Sequence, residues 1–215
     1  MADAFDDLKA RGLIQHSGIT ATGDTDAVLA VIRSGRFDTA QCYYNMLNPS
    51  CAWDVGTAPD GWAGADQDFS GITAACAAAD MGVLVIRPLA SGVLATDEQH
   101  ERMTAPQYAK NYAEDDWHNK ELRKAHACFA SLSEEAPEGD AAEQPPRAAT
   151  AVRWVLGDPR VSGVLVGLAD LEQLDVAIDA ASSGPLAAGS MEKLEQVQRS
   201  LFREAAAAGS PVPRL

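Results

Sequence analysis

Short apolar runs alternate with amphipathic stretches along this chain, and the alternation predicts four strand–helix units. Apolar runs of about four to eight residues, bounded by glycine, proline or polar residues, are typical of buried strands. Apolar positions spaced by three and four residues indicate helices with one buried face. The predicted strands are residues 13–19, 37–44, 82–86 and 161–166. Because strands that alternate with helices form parallel sheets, we expect an α/β fold.

Helical stretches complete this pattern and leave two long connections. The predicted helices are residues 5–11, a helix that opens at Gly23 and Asp24, and residues 69–81, 116–132, 147–156, 170–181 and 191–207. A loop of residues 45–67 follows the second strand. We treat residues 1–215 as one domain, since a chain of this length can bury one core. We expect its segment 97–146 to be mobile, because residues 134–146 are rich in Glu, Ala and Pro.

Charge and hydropathy exclude several classes of partner. The formal net charge is −14, and an acidic surface repels phosphate backbones and anionic membranes. No apolar run reaches the roughly 18 residues that a membrane helix needs, and the acidic N-terminus is unlike a secretory signal. We therefore expect a soluble, cytoplasmic protein without nucleic-acid or membrane partners. Acidic runs within residues 97–143 are interpreted as solvated faces, with an acidic docking site as the alternative.

The cysteines are spaced irregularly. A zinc knuckle or a redox pair needs two cysteines a few residues apart, and no such pair occurs. We interpret all four as reduced thiols of a cytosolic protein and predict no metal site; they are Cys42, Cys51, Cys76 and Cys128.

Four segments of the sequence carry a family resemblance. Residues 8–20 read LKARGLIQHSGIT, residues 37–48 hold a glutamine followed by Tyr-Asn, and residues 82–94 read GVLVIRPLASGVL. Residues 151–186 begin AVRWVL and end GPL. In order and spacing these segments resemble the C-terminal half of the aldo/keto reductase family. The resemblance implies a partial (β/α)8 TIM barrel of about four C-terminal βα units and a C-terminal helix.

The resemblance also implies that NAD(P)(H) binds at the mouth of the barrel. Gln41 matches the glutamine that bonds the nicotinamide carboxamide; otherwise it is a polar residue at a strand end. Thr20 keeps the hydroxyl of a Ser-Asn pair, whereas Ala21 loses the second amide. Ile86 stands where many members stack a tyrosine on the nicotinamide ring, so packing is kept and stacking is lost.

The phosphate contacts implied by the resemblance lie in two loops. Arg87 can pair with the pyrophosphate, or it is a surface arginine paired with an acid. It is followed by a loop that lets backbone N–H groups approach a phosphate, with Pro88, Leu89 and Gly92 as the matching positions. Further cofactor positions follow the last strand; they are Gly167, Asp170 and Gln173.

The last loop departs from the family pattern. Asp170 would repel the 2′-phosphate of NADP and favours NAD through a ribose hydroxyl, although a helix N-cap is its simpler role. Ala177 stands where the family often has asparagine. Together with the changes at Ala21 and Ile86, this predicts weak or absent cofactor binding by this chain alone.

The catalytic residues of the family have no counterpart in the sequence. The family uses a tyrosine, a lysine, an aspartate and a histidine, which precede the matching segment. We therefore expect a fragment or truncated form of an oxidoreductase that acts on small carbonyl or alcohol substrates. The alternative is a noncatalytic dinucleotide-binding or interaction module, such as a half-barrel homodimer that self-associates through its open sheet edges. The substrate, the choice between NAD and NADP, and the oligomeric state stay open.

Overall fold

The computed structural model describes residues 2–57, 67–97, 116–133 and 145–207, with four strands and seven α-helices in those ranges. Short 3-10 turns lie at Ser50–Ala52 and Ala90–Gly92. In chain order the elements are α1 Ala2–Ala10, β1 Gly18–Ala21, α2 Thr25–Arg33, β2 Thr39–Tyr43, α3 Ile72–Ala78, β3 Gly82–Ile86, α4 Asp116–Ser133, α5 Arg147–Val155, β4 Val161–Val164, α6 Leu171–Ser183 and α7 Ala188–Ala207.

The four strands form one parallel sheet in the order β1-β2-β3-β4. Thr20 lies opposite Gln41, and Gln41 lies opposite Leu84. Each strand therefore pairs with the strand that follows it in the chain, as in a (β/α)8 barrel. The predicted α/β fold with a parallel sheet is confirmed.

The two faces of the sheet differ in burial because successive side chains on a strand point to opposite sides. On one face Ala40, Cys42, Val83 and Val85 are fully buried and belong to the main core. Burial alternates along β2 and β3, so the side chains on the other face of these two strands are half-buried. This second face corresponds to the interior of a closed barrel.

The core continues from the sheet into the connection that follows β2. Met46, Leu47 and Phe69 are almost completely buried, together with Ile72 of α3. The buried Gln198 of α7 donates from Nε2 to the carbonyl oxygen of Met46 at 2.8 Å. The first part of the predicted loop 45–67 is therefore packed structure, held by the C-terminal helix.

Strand β1 begins later than predicted. Residues 13–17 are not a strand, and Leu13 is 60% exposed. Polar residues at positions 15–17 interrupt the apolar run, and backbone pairing with β2 begins at Gly18. A Cβ atom at Gly18 would lie 3.0 Å from the carbonyl oxygen of Thr39, so glycine permits the close approach at which the strand starts.

The other elements agree with the prediction apart from their ends. Strand 82–86 is confirmed at both ends, whereas β4 stops two residues early, at Val164. Helix α3 is shorter than the predicted 69–81 because Gly71 and Asp80, both at positive φ, flank it.

Part of the segment 97–146 lies outside the described residues. Its predicted helix is confirmed as α4, which buries Ala125 and Cys128. Asp97 accepts a hydrogen bond from Nε2 of His126 at 2.9 Å and also pairs with Arg147. The rest of the segment, residues 98–115 and 134–144, is not described, so its mobility stays a prediction.

An ion pair before β4 ties this edge of the sheet to the packed loop. Arg160 donates from Nε and Nη2 to Asp158 at 2.9 and 2.7 Å. Its Nη2 also donates to the carbonyl oxygen of Ala52 at 2.8 Å. The Asp158 side chain is 6% exposed, so its charge depends on this arginine rather than on water.

We expect Arg160→Ala to lower the free energy of unfolding by about 2–3 kcal/mol, because it leaves a buried carboxylate unpaired. This expected loss is smaller than the loss on breaking a fully buried ion pair, because the Arg160 side chain is 29% exposed. Urea unfolding measures it. Arg11→Ala is the matched control, since its pair with Asp7 is exposed and such pairs contribute about 0–1 kcal/mol. Equal losses in both variants would contradict the role of the buried pair.

Asp38 predicts an acid-dependent step in stability. Hydrogen bonds from Lys9 and from the Ser17 backbone N–H lower the pKa of this carboxyl from 3.8 to about 2. A carboxyl group whose pKa is lower in the folded state stabilises the protein at any pH above its pKa in the unfolded chain. This contribution is lost as the pH falls from about 4 through about 2. Asp38→Asn should therefore flatten the fall in unfolding free energy across this window, measured by urea unfolding of the variant and the native protein. Parallel curves for Asp38→Asn and the native protein would refute this.

Candidate functional site

The exposed face of the sheet brings two of the predicted cofactor residues together. Thr20 of β1 and Gln41 of β2 are opposite each other in the register. The Thr20 hydroxyl donates to Oε1 of Gln41 at 3.4 Å, a long and therefore weak hydrogen bond. The carboxamide oxygen therefore faces β1, and two residues that were predicted separately as cofactor positions contact each other.

One pleat further along, Tyr43 lies opposite Ile86. Both side chains are half-buried, so Ile86 lies on the predicted face. The Tyr43 ring stacks on Phe69, with 5.4 Å between ring centroids and 24° between planes. Sequence reasoning did not place Tyr43 in the site, although the two-residue alternation from Gln41 assigns it to the same face.

Tyr44 points to the opposite side of the sheet. Its ring is 4% exposed and lies against Trp154 of α5, with 4.7 Å between centroids. Burial raises the pKa of its phenol well above the ordinary value. Tyr44 is therefore a neutral core residue that anchors the sheet to α5.

The loop after β3 has an unusual backbone. Arg87, Ala90 and Ser91 have φ of 59°, 46° and 63°, and Gly92 has φ of 102°. The left-handed region is uncommon for residues with a Cβ, and sparsely populated backbone conformations cost about 1–3 kcal/mol each. Such a loop persists only when its surroundings hold it.

Side chains of this loop are divided between solvent and core. Arg87 is exposed and donates from Nη1 to the Ser91 hydroxyl at 2.7 Å. Pro88 is buried, and Leu89 and Gly92 are half-buried. The arginine thus lies where the prediction put it, at a strand end, and closes its own loop with a hydrogen bond.

Asn45 supports this loop from the end of β2 and was missed in the sequence. It is fully buried and donates from Nδ2 to the carbonyl oxygen of Arg87 at 3.0 Å. The two residues are 42 positions apart, so no local pattern indicates the contact. The only available signal was a carboxamide directly after an apolar strand.

The loop after β4 leads into the N-terminus of α6. Oδ1 of Asp170 accepts a hydrogen bond from the backbone N–H of Gln173 at 2.8 Å, which confirms the N-cap interpretation. The Gln173 side chain returns a bond from Nε2 to Asp170 at 3.0 Å and accepts one from the Ala169 N–H at 2.9 Å. A carboxylate already placed on the positive end of a helix competes with any phosphate there.

The loops after β3 and β4 rest on one apolar cluster. Leu89 and Val166 both pack against the buried side chains of Ala149, Val152 and Ala180. Both loops follow the carboxyl ends of paired strands, so they lie on the same side of the sheet.

Two general features of the described residues limit the chemistry. No group of three His, Cys, Asp or Glu side chains in the described ranges is arranged to hold a metal ion, and the four thiols are free and buried. Burial raises the pKa of Cys128 to about 12, so it is a poor nucleophile.

Among the described residues, no helix combines the length and apolarity needed to cross a membrane.

Comparison with known proteins places these observations in a family. The model of the Aldo/keto reductase family matches residues 1–199. No curated protein matches the chain. The structure is similar to aldo-keto reductase AKR11C1 from Bacillus halodurans in its holo form, with a TM-score of 0.59 and 16% identity over 91% of this chain and 54% of that chain. The apo form gives a TM-score of 0.60 and 16% identity over 91% of this chain and 55% of that chain.

At 16% identity the structural likeness shows the fold, and the chain spans about half the length of those structures. The sheet order and the two loops on one side of the sheet agree with that fold. Because the family model covers residues 1–199 of 215, this chain belongs to the aldo/keto reductase family.

Proposed function

We propose that this chain forms the cofactor-binding half of an NAD(P)(H)-dependent oxidoreductase that acts on small carbonyl or alcohol substrates. One observation supports this most: the left-handed loop at Arg87 starts at the carboxyl end of β3, where barrel enzymes bind their ligands, and the Thr20–Gln41 pair lies on the half-buried face of the same sheet. Family membership supports the class of reaction.

The nicotinamide end of the cofactor would lie on the exposed face of the sheet. Gln41 offers both a donor and an acceptor to a carboxamide, and Thr20 holds its orientation. Ile86 supplies an apolar side chain beside them, without the flat surface of an aromatic ring. When bound, the cofactor supplies or accepts a hydride.

The phosphate end would lie between the two loops. Arg87 would supply a cation beside the turn that Pro88, Leu89 and Gly92 shape. The Gly92 N–H donates to the Leu89 carbonyl, so this bond would have to be exchanged for one to an anion. At Gly167, Asp170 and Gln173 the cap hydrogen bonds have to be exchanged for bonds to the cofactor. This competition supports weak binding, and the Asp170 carboxylate favours a ribose hydroxyl over a 2′-phosphate.

The proton-transfer residues of the reaction are assigned to polypeptide outside these 215 residues. Of the tyrosines in the described ranges, Tyr43 stacks on Phe69 and Tyr44 is buried against Trp154. The geometry gives neither a role as proton donor. The chain alone is therefore proposed to bind the cofactor weakly and not to turn over substrate.

Fluorescence titration with NADH and NADPH tests the cofactor proposal. We expect weak binding that favours NADH, and a roughly 2–10-fold higher Kd for NADH in Gln41→Leu, as expected for the loss of one hydrogen bond. Gln15→Leu is the control, because Gln15 is exposed and precedes the amino end of β1. Absence of binding in the native chain, or equal affinities in all three proteins, would reject the proposed site.

A second candidate function is an interaction module, favoured by exposed apolar side chains. Leu171, Leu174 and Ile178 are 77%, 38% and 52% exposed and lie on one side of α6 at spacings of three and four residues. We define these three residues as the α6 stripe. Leu165 and Leu168, also exposed, lie directly before it.

We propose that two copies close on each other as a half-barrel homodimer. A twofold axis along the barrel would place β4 of one copy parallel to β1 of the other, satisfying both open edges. The α6 stripe would then be covered at the same junction. The net charge of −14 on each copy opposes this contact, so salt should strengthen it.

Sedimentation tests the homodimer. We expect a dimer whose Kd falls as salt rises, and an at least roughly tenfold weaker dimer in Leu171→Lys, since a buried leucine contributes about 1.5–3 kcal/mol. Val31→Lys on α2 is the control, as an exposed apolar residue outside the stripe. A native chain that stays monomeric at all concentrations would rule this candidate out and leave the cofactor proposal intact.

A further inference from the structure

The loop after β3 needs support from outside itself. Three of its residues with a Cβ, Arg87, Ala90 and Ser91, have positive φ, and the only other such residue in the described ranges is Asp80. The bonds within the loop are short-range turns, from the Ala90 N–H to the Arg87 carbonyl at 3.0 Å and from the Gly92 N–H to the Leu89 carbonyl at 2.9 Å. Comparable turns form in ordinary right-handed backbone, so these bonds alone do not select the left-handed form.

Asn45 provides a bond of a different kind. Its side chain has 0% exposure, and its Nδ2 donates to the Arg87 carbonyl across the sheet end. The Arg87–Ser91 side-chain bond is exposed, so water competes for both of its groups. The Asn45 amide is buried, so water competes less for this bond, and it is the stronger restraint.

The direction of the Asn45 amide is fixed by its other contacts. Its Oδ1 accepts from the backbone N–H groups of Leu47 and Asn48, each at 2.9 Å. Backbone bonds between Asn45 and Asn48 in both directions, at 3.3 and 3.1 Å, close the same turn. An oxygen held by two N–H groups leaves the NH2 facing Arg87, where a carbonyl needs a donor.

We propose that Asn45 is a positioning residue, which holds the loop of residues 87–92 in its left-handed conformation and so presets the shape of the surface that is proposed to meet the cofactor phosphates. The proposal rests on the cofactor function proposed above. It assigns the affinity of this loop partly to a residue that does not touch the ligand. Without the restraint, only a fraction of molecules would hold the binding-competent loop, and the observed Kd would rise by the inverse of that fraction.

Two variants in the turn of residues 45–48 distinguish a positioning role of Asn45 from a general effect on stability. Asn45→Asp keeps an acceptor for the Leu47 and Asn48 N–H groups and places an oxygen in front of the Arg87 carbonyl. Asn48→Asp is the matched control: Asn48 is 1% exposed, its Oδ1 accepts from Ser50, and its Nδ2 donates to the carbonyl of Gln67 at 3.1 Å. Both variants make the same chemical change in a buried amide, but only the first touches Arg87.

Hydrogen exchange and NADH titration of the full chain provide the two readouts. In Asn45→Asp we expect exchange at the Ala90 and Gly92 amides to rise at least roughly fivefold, and the Kd for NADH to rise about 2–10-fold, as for one lost hydrogen bond. In Asn48→Asp both should change less than about twofold. Equal effects in the two variants would overturn the proposal and reduce Asn45 to a structural residue.

A rescue variant tests the conformational cause. Ala90→Gly removes the Cβ that makes φ of 46° unfavourable, so it should restore at least half of the exchange protection in Asn45→Asp. Failure of the rescue would show that the loop is not held against left-handed strain.

A measurement on the native chain covers the case in which Asn45→Asp does not fold. If the Asn45 side chain holds both the turn of residues 45–48 and the loop of residues 87–92, the two segments should open together. The Leu47, Asn48 and Ala90 amides should then show the same free energy of opening under increasing urea. Exchange at Ala90 more than about tenfold faster than at Leu47 would show that the loop opens without Asn45 and would overturn the proposal. Exchange needs no cofactor, so a chain that protects this loop but binds no NADH rejects the cofactor function alone.

Discussion

The register between neighbouring parallel strands is the constraint on which the rest of this structure depends. Thr20, Gln41 and Leu84 are aligned by backbone hydrogen bonds, and the pleat sends them to one face while Ala40, Cys42 and Val83 go to the other. Side chains of that second face are small enough for helices to pack closely on the sheet. A slip of one residue would bury Gln41 in this core and expose its cysteine neighbour.

The same polar groups serve the fold and the proposed site. Gln41 already accepts from Thr20, Arg87 already binds Ser91, and Asp170 already caps α6. A ligand must replace these internal bonds, and each exchange reduces the net gain of binding because the free protein is already satisfied. A site that is satisfied without its ligand keeps its shape at a cost in affinity, which supports the proposal that this chain binds its cofactor weakly.

Sequence patterns predicted those parts of the fold that are encoded locally. An uninterrupted apolar run, residues 83–86, lies between Gly82 and Arg87-Pro88, and both ends of this strand were predicted correctly. Residues 13–19 mix apolar and polar positions, and there the strand begins only at Gly18, where the backbones can approach. The N-cap at Asp170 was also predicted, because its partner is three residues away.

Contacts between distant residues were not predicted, and they complete the site. Asn45 reaches Arg87 only because β2 and β3 pair, and no single segment contains both residues. Tyr43 was missed for a simpler reason, since the alternation from Gln41 already assigned it to the exposed face. Sequence reasoning thus located the strands that carry the proposed site, with both ends correct only for β3, and it missed the residue that joins β2 to the loop after β3.

The Asn45 bond is best understood as a continuation of the sheet. The Tyr44 N–H approaches the Ile86 carbonyl at 3.5 Å, and one residue later the Asn45 side chain takes over as donor to the Arg87 carbonyl at 3.0 Å. At this point the backbone of β3 turns to positive φ and can no longer pair as a strand. A side-chain amide replaces a backbone amide where the ladder ends, so the hydrogen bonding of the sheet extends into the loop. The register between β2 and β3, which aligns Gln41 with Leu84, therefore also places Asn45 against the loop proposed to bind phosphate.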